Sequence, residues 1–429
     1  MTPEVKERIE QIRHGVVPAG FQKTIFGFAP NEWHKVRVND ICRLSSGSTP
    51  RRDNAENFDG DILWVTSGEL KKRVICDTQE KISEAAAKNS HLELYDPGTV
   101  VIAIYGLEAA GIRGTASIVG KRCTISQACM AFTEFQKVDN KFFYYWYLFN
   151  GQTIGLRYAQ GTKQQNLSSD IVGAFPICFP SMSEQKRIAE ILTVQDKTID
   201  LKEKLLVEKQ RQKKYLMQQL LTGKKRLPGF DCEWKTVRLG LISKRIRERN
   251  HIGSTNVMTI SAQFGLINQE EFFNKGIASD DKSNYFLLHR NDFAYNKSYS
   301  TGYPYGAIKR LTRYDSGIVS PLYICFRIKR MDVSVDFMAH YFEAGLMNRE
   351  IQAFAQEGAR NHGLLNIAVE DFFNSKITLP PFEEQQAIAA ILTTADKEID
   401  LLRQDLEQEK QKKKALMQLL LTGIVRVNA

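Results

Sequence analysis

The stretch Glu184–Gly223 reads EQKRIAEILTVQDKTIDLKEKLLVEKQRQKKYLMQQLLTG, and Glu384–Gly423 reads EQQAIAAILTTADKEIDLLRQDLEQEKQKKKALMQLLLTG. The second lies 200 residues after the first, without insertion or deletion, and about half of the aligned positions are identical. A duplication of this period fixes the architecture before any local assignment is made. The chain is two halves, each ending in this segment.

Both copies have the marks of a long helix. Ser181-x-x-Glu184 has capping-box spacing, and Pro380-Pro381 precedes the second copy; both are helix-start signals. Gly223 and Gly423 stand where a helix C-terminus favours a left-handed residue. Between these ends apolar residues alternate at spacings of four and three, the a/d pattern of a paired helix. The seam is Ile188, Leu192, Ile199, Leu206, Leu216 and Leu220 in copy one. In copy two it is Ile388, Leu392, Ile399, Leu402, Leu406, Leu416 and Leu420. Forty residues at ~1.5 Å each give a rod of roughly 60 Å, too amphipathic to stand alone. Antiparallel pairing of the two copies within the chain is the expectation. The alternatives are packing of each helix on its own domain, or pairing between chains. Lys202 and Lys209 replace Leu402 and Glu409 of copy two, which leaves the register open. The run Lys209–Lys214 reads as a solvated face or a docking surface.

Working outward, Glu32-Trp33-His34-Lys35-Val36-Arg37-Val38 opens the first half, and Glu233-Trp234-Lys235-Thr236-Val237-Arg238-Leu239 opens the second. Ile62–Thr66 and Val100–Tyr105 read as strands, and glycines between Gly106 and Gly120 as loops. Phe142–Ala159 and Asp336–Gln356 read as helices, each followed by a polar loop, a short strand and a proline. The spacing predicts an N-terminal segment over 1–30, with a short helix, and globular α/β domains over 31–180 and 227–380. It assigns 181–226 and 381–429 to the repeated helices. The interiors Ser45–Met130 and Lys244–Tyr323 do not align, so one frame holds two different contents.

The whole-chain numbers agree with a globular multidomain protein. At 429 residues, 43% hydrophobic and 25% charged, the chain exceeds one ordinary core. A net charge of +10 favours an acidic partner such as nucleic acid. No segment approaches the ~20 apolar residues that span a bilayer, so no membrane partner is expected. The charged opening MTPEVKERIEQIRHG is unlike a signal peptide, and the scattered cysteines form no CxxC pair. A cytoplasmic setting is the expectation.

With those residues in place, the chain resembles the specificity subunits of type I restriction–modification enzymes. The twin EQ-x-x-IA-x-IL-T segments ending in LM-Q-x-L-L-T-G carry the resemblance most specifically. Leu227-Pro228-Gly229-Phe230, Ser46–Pro50 with Gly60–Trp64, and Asp292–Lys297 with Val319–Tyr323 extend it over nearly the whole chain. The resemblance implies two globular mixed α/β target recognition domains separated by an antiparallel two-helix spacer, as a pseudo-twofold internal repeat. It implies a bipartite, asymmetric double-stranded DNA site with one domain per half-site. It also implies two modification (methyltransferase) subunits and restriction/motor subunits as partners. S-adenosylmethionine, ATP and Mg would be held by those partners, and none by this chain.

Catalytic signatures are absent from the sequence: no GxxxxGK[ST] loop, no glycine-rich strand–helix fingerprint, no HExxH. A non-catalytic recognition chain is therefore expected. Base reading needs directional donors and acceptors, whereas phosphate contacts need cations and hydroxyls. In the first half those groups cluster at Ser48, Thr49, Arg51 and Arg52, at Tyr105 and Arg113, and at Lys163, Gln164, Gln165 and Asn166. In the second half they are Arg245 and Arg247, then Lys297, Tyr299, Tyr303 and Tyr305, then Arg360, Asn361 and His362 after the helix. A metal site is not expected. The competing interpretation is a coiled-coil adaptor that assembles proteins and binds no DNA sequence specifically.

Overall fold

The structure is a computed structural model that describes residues 2–109, 111–161, 165–261, 264–273, 281–300, 302–357 and 365–427. The chain forms two compact units, one comprising residues up to Lys202 with those from Asp405, the other Glu203–Gln404. Each long helix, Met182–Leu220 and Phe382–Leu421, therefore gives one part of its length to each unit.

In the first unit the helix Pro3–Arg13 and the hairpin Phe21–Thr24/Gly27–Pro30 precede the frame. The frame itself is His34–Arg37 paired antiparallel with Pro176–Phe179, the strand that leads into the first long helix. Inside it lies a five-stranded sheet in the order Arg43–Ser46, Cys129–Thr133, Val100–Ala103, Ala116–Val119, Val74–Ile75. Ala116–Val119, which lies in the glycine-punctuated stretch, is a fully buried strand. A second sheet joins Cys123–Ile125, Ile62–Val65 and Lys81–Ile82. The helix Asn140–Tyr158 is started by Asp139, whose carboxylate accepts from the Lys141 and Phe142 amides at 3.0 Å. Phe142 to Tyr147 are all buried, so the first half of the helix is apolar all round and lies in the core, while Gln152, Leu156 and Arg157 expose one face of the second half.

The second unit repeats the frame: Lys235–Arg238 pairs antiparallel with Lys376–Leu379. The two Glu-Trp strings are thus strands that close each unit against the strand entering its long helix. Inside, four strands of the main sheet keep the order seen in the first unit, and what is added to them differs. A four-stranded antiparallel sheet runs Ser243–Arg245, Ile324–Ile328, Phe293–Asn296, Ala307–Arg310. The pairs Met258–Ser261/Gly265–Asn268 and Phe286–His289/Ser316–Val319 form separate ladders that share a core with Ala294, Ala307 and Cys325 of that sheet. The single helix expected over Asp336–Gln356 is two, Val335–Glu343 and Asn348–Phe354. Gly345, at φ +70°, ends the first in the left-handed conformation that a residue with Cβ adopts at a cost.

The repeated helices pair antiparallel within the chain. In the first unit Ile188 and Leu192 share a core with Met417 and Leu420; in the second Ile388 and Leu392 share one with Met217 and Leu220. Ile199, Ile399 and Leu406 are buried, and Leu206, Leu216, Leu402 and Leu416 half-buried. The lysines that interrupt the seam are matched across it. Lys202 lies 2.7 Å from Asp405 and 2.9 Å from Glu409, whose carboxylate also accepts from Gln195 at 2.6 Å. In the second unit Lys209 lies 2.6 Å from Glu398, and Lys213 pairs with Asp396. This corrects the view of Lys209–Lys214 as one outward face, since Lys209 and Lys213 turn inward and Arg211 and Lys214 stay exposed.

The Glu-Gln that opens both copies also has a job in both units. Ser181 Oγ accepts from the Glu184 amide at 3.4 Å, but Glu184 does not return the capping-box bond. Its carboxylate accepts from Arg426, Nε to Oε1 at 2.7 Å, beside Trp33. Glu384, fully buried, likewise accepts from Arg226 Nε at 2.7 Å and from Trp234 Nε1 at 3.1 Å. Gln185 accepts from the Asp139 amide at 2.8 Å and donates to the Pro180 carbonyl at 2.9 Å. Gln385 does the same with Ser334 and Pro380, again at 2.8 and 2.9 Å. One dipeptide therefore pins the start of each long helix to the helix that leads its domain and to the end of the other copy.

Candidate nucleic-acid interface

In the first unit the segment Gln165–Leu167, after the helix Asn140–Tyr158, meets the chain just past the end of the central strand Val100–Ala103. The Leu167 amide donates to the Ile104 carbonyl at 2.9 Å, the Leu107 amide to the Gln165 carbonyl at 3.3 Å, and Tyr105 bridges Asn166. The glycine-rich loop meets this segment from the other side. Gly114, at φ +72°, lies so close to the helix that a Cβ on it would stand 2.7 Å from the Gln152 amide nitrogen. Only glycine admits that approach. It carries Arg113 across Gly155, where Nη2 donates to Gln165 Oε1 at 3.0 Å. Gln152 Nε2 fixes the Arg113 carbonyl at 2.7 Å. The Glu108 carboxylate accepts from the Gln165 amide at 2.9 Å, which holds its pKa below the usual carboxylate range.

Four sequence candidates, Tyr105, Arg113, Gln165 and Asn166, are thereby brought together from stretches some 60 residues apart. The aromatic ring is exposed, and an amide and a guanidinium are held in fixed relation, the donor and acceptor set that base edges require. Glu108 and Gln152 complete the arrangement and were not singled out from the sequence. For Gln152 the signal was present, because Gly151 and Gly155 flank it on a helix that is otherwise large and aromatic.

Ser48, Thr49, Arg51 and Arg52 lie elsewhere in the unit, and their chemistry differs from expectation. Ser48 and Thr49 are half-buried, and the Ser48 carbonyl accepts from Trp64 Nε1 at 3.2 Å. Arg52 is bidentate to Glu80 at 2.8 and 2.9 Å and lies over the Phe58 and Trp64 rings. Its guanidinium is already engaged, whereas Arg51 is exposed.

In the second unit Tyr303 is likewise engaged. Its hydroxyl donates to Glu343 at 2.6 Å and accepts from Lys309 at 3.0 Å, and Lys309 itself pairs with Glu343. Tyr305 packs on the core, with its carbonyl accepting from Tyr295 at 2.7 Å. Arg245 ends a strand of the sheet; burial, then the neighbouring Arg247, lowers its pKa. Arg247 and Tyr299 are exposed and Lys297 is half-buried. The Lys297 carbonyl accepts from the Leu365 amide at 3.1 Å, so here too the post-helix segment meets the chain just past the end of an interior strand, Phe293–Asn296. Lys163, Gln164, Arg360, Asn361 and His362 lie outside the described residues.

Among the described residues no group of three or more His, Cys, Asp or Glu side chains could hold a metal ion. Cys42, Cys123, Cys129 and Cys325 are buried, which pushes their thiols up to about 12 and makes them core residues rather than nucleophiles. Among the same residues no helix is long and apolar enough to cross a membrane.

Comparison with known proteins agrees with the repeat. The sequence profile of the type I restriction modification DNA specificity domain matches residues 30–209 and 268–411. The specificity subunit of the type I restriction enzyme MjaVIII of Methanocaldococcus jannaschii is 23% identical over 430 residues, covering 93% of this chain and 94% of its own. That of MjaIX, from the same organism, is 27% identical over 191 residues, 43% of this chain and 42% of the relative. Among solved structures, the S subunit of the M. genitalium type I restriction-modification system has the same fold. It has a TM-score of 0.56 at 14% identity, over 90% of this chain and 96% of that one. Two repeats of one frame, joined through duplicated helices and matched in both halves by one profile, place the chain in the type I restriction modification DNA specificity family.

Proposed function

We propose that this chain is the DNA sequence-recognition subunit of a type I restriction–modification complex. Each unit reads one half of a bipartite, asymmetric site, and the chain assembles the subunits that act on the DNA. The observation that carries this is the contrast between identical frames and unlike interiors. The strands at the Glu-Trp strings, the pinned helix starts and the four-strand order of the main sheet are the same in both units, whereas the strands added to that sheet differ: Val74–Ile75 and the sheet of Cys123–Ile125, Ile62–Val65 and Lys81–Ile82 in the first, and two separate antiparallel pairs in the second. One scaffold with two unlike contents is what two different half-sites demand. In the first unit, Gln165 and Arg113 present hydrogen-bonding groups to base edges and Tyr105 offers an aromatic face. In the second, Arg247, Lys297 and Tyr299 are the accessible counterparts.

The chain is non-catalytic in this account. Methyl transfer to adenine would require a base flipped into a dedicated pocket with S-adenosylmethionine. That cofactor, like ATP and Mg, belongs to the two modification subunits and the restriction/motor subunits. Binding of the assembled complex to its DNA should weaken steeply as salt rises, because neutralised phosphates release counterions. Titration by filter binding from about 50 to 200 mM salt should lose a hundredfold or more in affinity. A flat profile would contradict the proposal and favour an adaptor.

A further inference from the structure

The charges along the paired helices are distributed unequally between the copies. Copy one turns Lys202, Lys209 and Lys213 inward, while copy two answers with Asp396, Glu398, Asp405 and Glu409. One of these contacts occurs in both units: Lys213 with Asp396 in one matches Lys413 with Asp196, 2.6 Å apart, in the other. That pair fixes register and cannot tell one copy from the other. Lys202 and Lys209 can, because copy two carries Leu402 and Glu409 in their places.

Setting each helix against a second copy of itself, in the observed register, shows the consequence. The partner of Lys202 is Glu409, so the 200-residue offset puts Lys209 there when copy one faces copy one, twice by symmetry. The partner of Lys209 is Glu398, so copy two facing copy two puts Glu409 against Glu398, again twice. Lys202, Glu409 and Lys209 are sheltered between the helices, at 23%, 16% and 29% exposed, while Glu398 and Asp405 at their rim are 49% and 46% exposed. Like charges between the sheltered side chains, as in Lys202 against Lys209, are screened less than on an open surface; Glu409 against the half-exposed Glu398 is screened more. Charge patterns at such flanking positions choose partners as well as bind them.

We propose that the duplicated helices carry a pairing code in which copy one accepts copy two and rejects a second copy one, and copy two likewise rejects itself. Although the apolar seam is nearly the same in both, the charges direct pairing to the unlike copy. The inference does not depend on which DNA is recognised.

Two full-length variants test it. K202E/K209E makes both helices acidic at the discriminating positions, and E398K/D405K/E409K makes both basic. Each alone should melt about 3–6 °C lower than the unmodified chain, on the scale of one or two lost charge pairs. The fivefold variant, with the code inverted but complementary, should recover most of that loss. Co-expressed, the acidic and basic chains should form a two-chain species by sedimentation, because every helix then finds an opposite partner; neither should form it alone. Unchanged melting of the two variants would overturn the proposal. So would a fivefold variant as impaired as its parents, or a mixture that stays one-chain, or self-association of either variant equal to that of the mixture.

Discussion

Gln385 is 2% exposed, and its amide joins three backbone groups. Oε1 accepts from the Ser334 amide at 2.8 Å, and Nε2 donates to the Pro380 carbonyl at 2.9 Å and the Asp332 carbonyl at 3.2 Å. Ser334 in turn starts the helix Val335–Glu343, and Pro380 lies two residues before the long helix. Gln385→Ala leaves the Ser334 N–H and the Pro380 carbonyl buried without partners. Each orphan costs about 1–3 kcal/mol, so the loss should be about 4 kcal/mol. With a urea m-value of about 2.5 kcal/mol/M, the midpoint of the second unit should fall by about 1.5 M. Gln385→Glu is the sharper probe. It keeps the acceptor for Ser334 but sets a buried carboxylate against two carbonyl oxygens, so at pH 7 it should be no milder than alanine. Lowering the pH should recover part of its loss, because a protonated acid can donate to one carbonyl. Urea unfolding followed by tryptophan fluorescence reads both. A loss below about 1 kcal/mol for Gln385→Ala, or a neutral Gln385→Glu, would refute the pinning role.

Three further outcomes follow from the same geometry. Gln165→Ala should cost about 1–3 kcal/mol of DNA affinity and relax recognition at one base pair, whereas Arg247→Ala should weaken all sequences alike and reduce the salt slope by about 1; titrations against matched and single-mismatch duplexes separate them. Glu409 has its pKa held at about 2, first by the Gln195 amide and then by Lys202. Since that is below the unfolded value of about 4.3, its stabilisation is complete above that pH and is lost as pH falls from about 4 to 2; thermal melts over that range should show a steeper decline for the unmodified chain than for Lys202→Met. Gly345→Ala should destabilise by about 1 kcal/mol, read as a lower urea midpoint, because φ +70° is unfavourable for alanine.

The parts of the fold visible in the sequence were those under simple periodic constraint. The heptad seam, the paired copies and the Glu-Trp strings follow from period and repetition alone. The split of Asp336–Gln356 turned on one glycine within an otherwise helical pattern, and nothing local marks Gly345 as left-handed. The lysines of copy one looked like interruptions because their partners sit nearly two hundred residues away, and charge complementarity at that separation appears only once the register is known. The interface was legible in kind but not in detail. Arg52 and Tyr303 have the residue types of DNA readers, yet each is claimed by a carboxylate, Glu80 and Glu343, that sequence proximity does not reveal. Tyr105, Arg113, Gln165 and Asn166 were separate candidates in the sequence, and the close approach at Gly114 makes them one site.

The central claim is that one frame carries two independent readers. Its most direct test replaces Ser45–Met130 with the interior of a relative, leaves the frame strands and both long helices intact, and maps methylated adenines in cells carrying the complex. The account predicts that one half of the recognised site changes while the other half stays as it was. Change in both halves at once would contradict it.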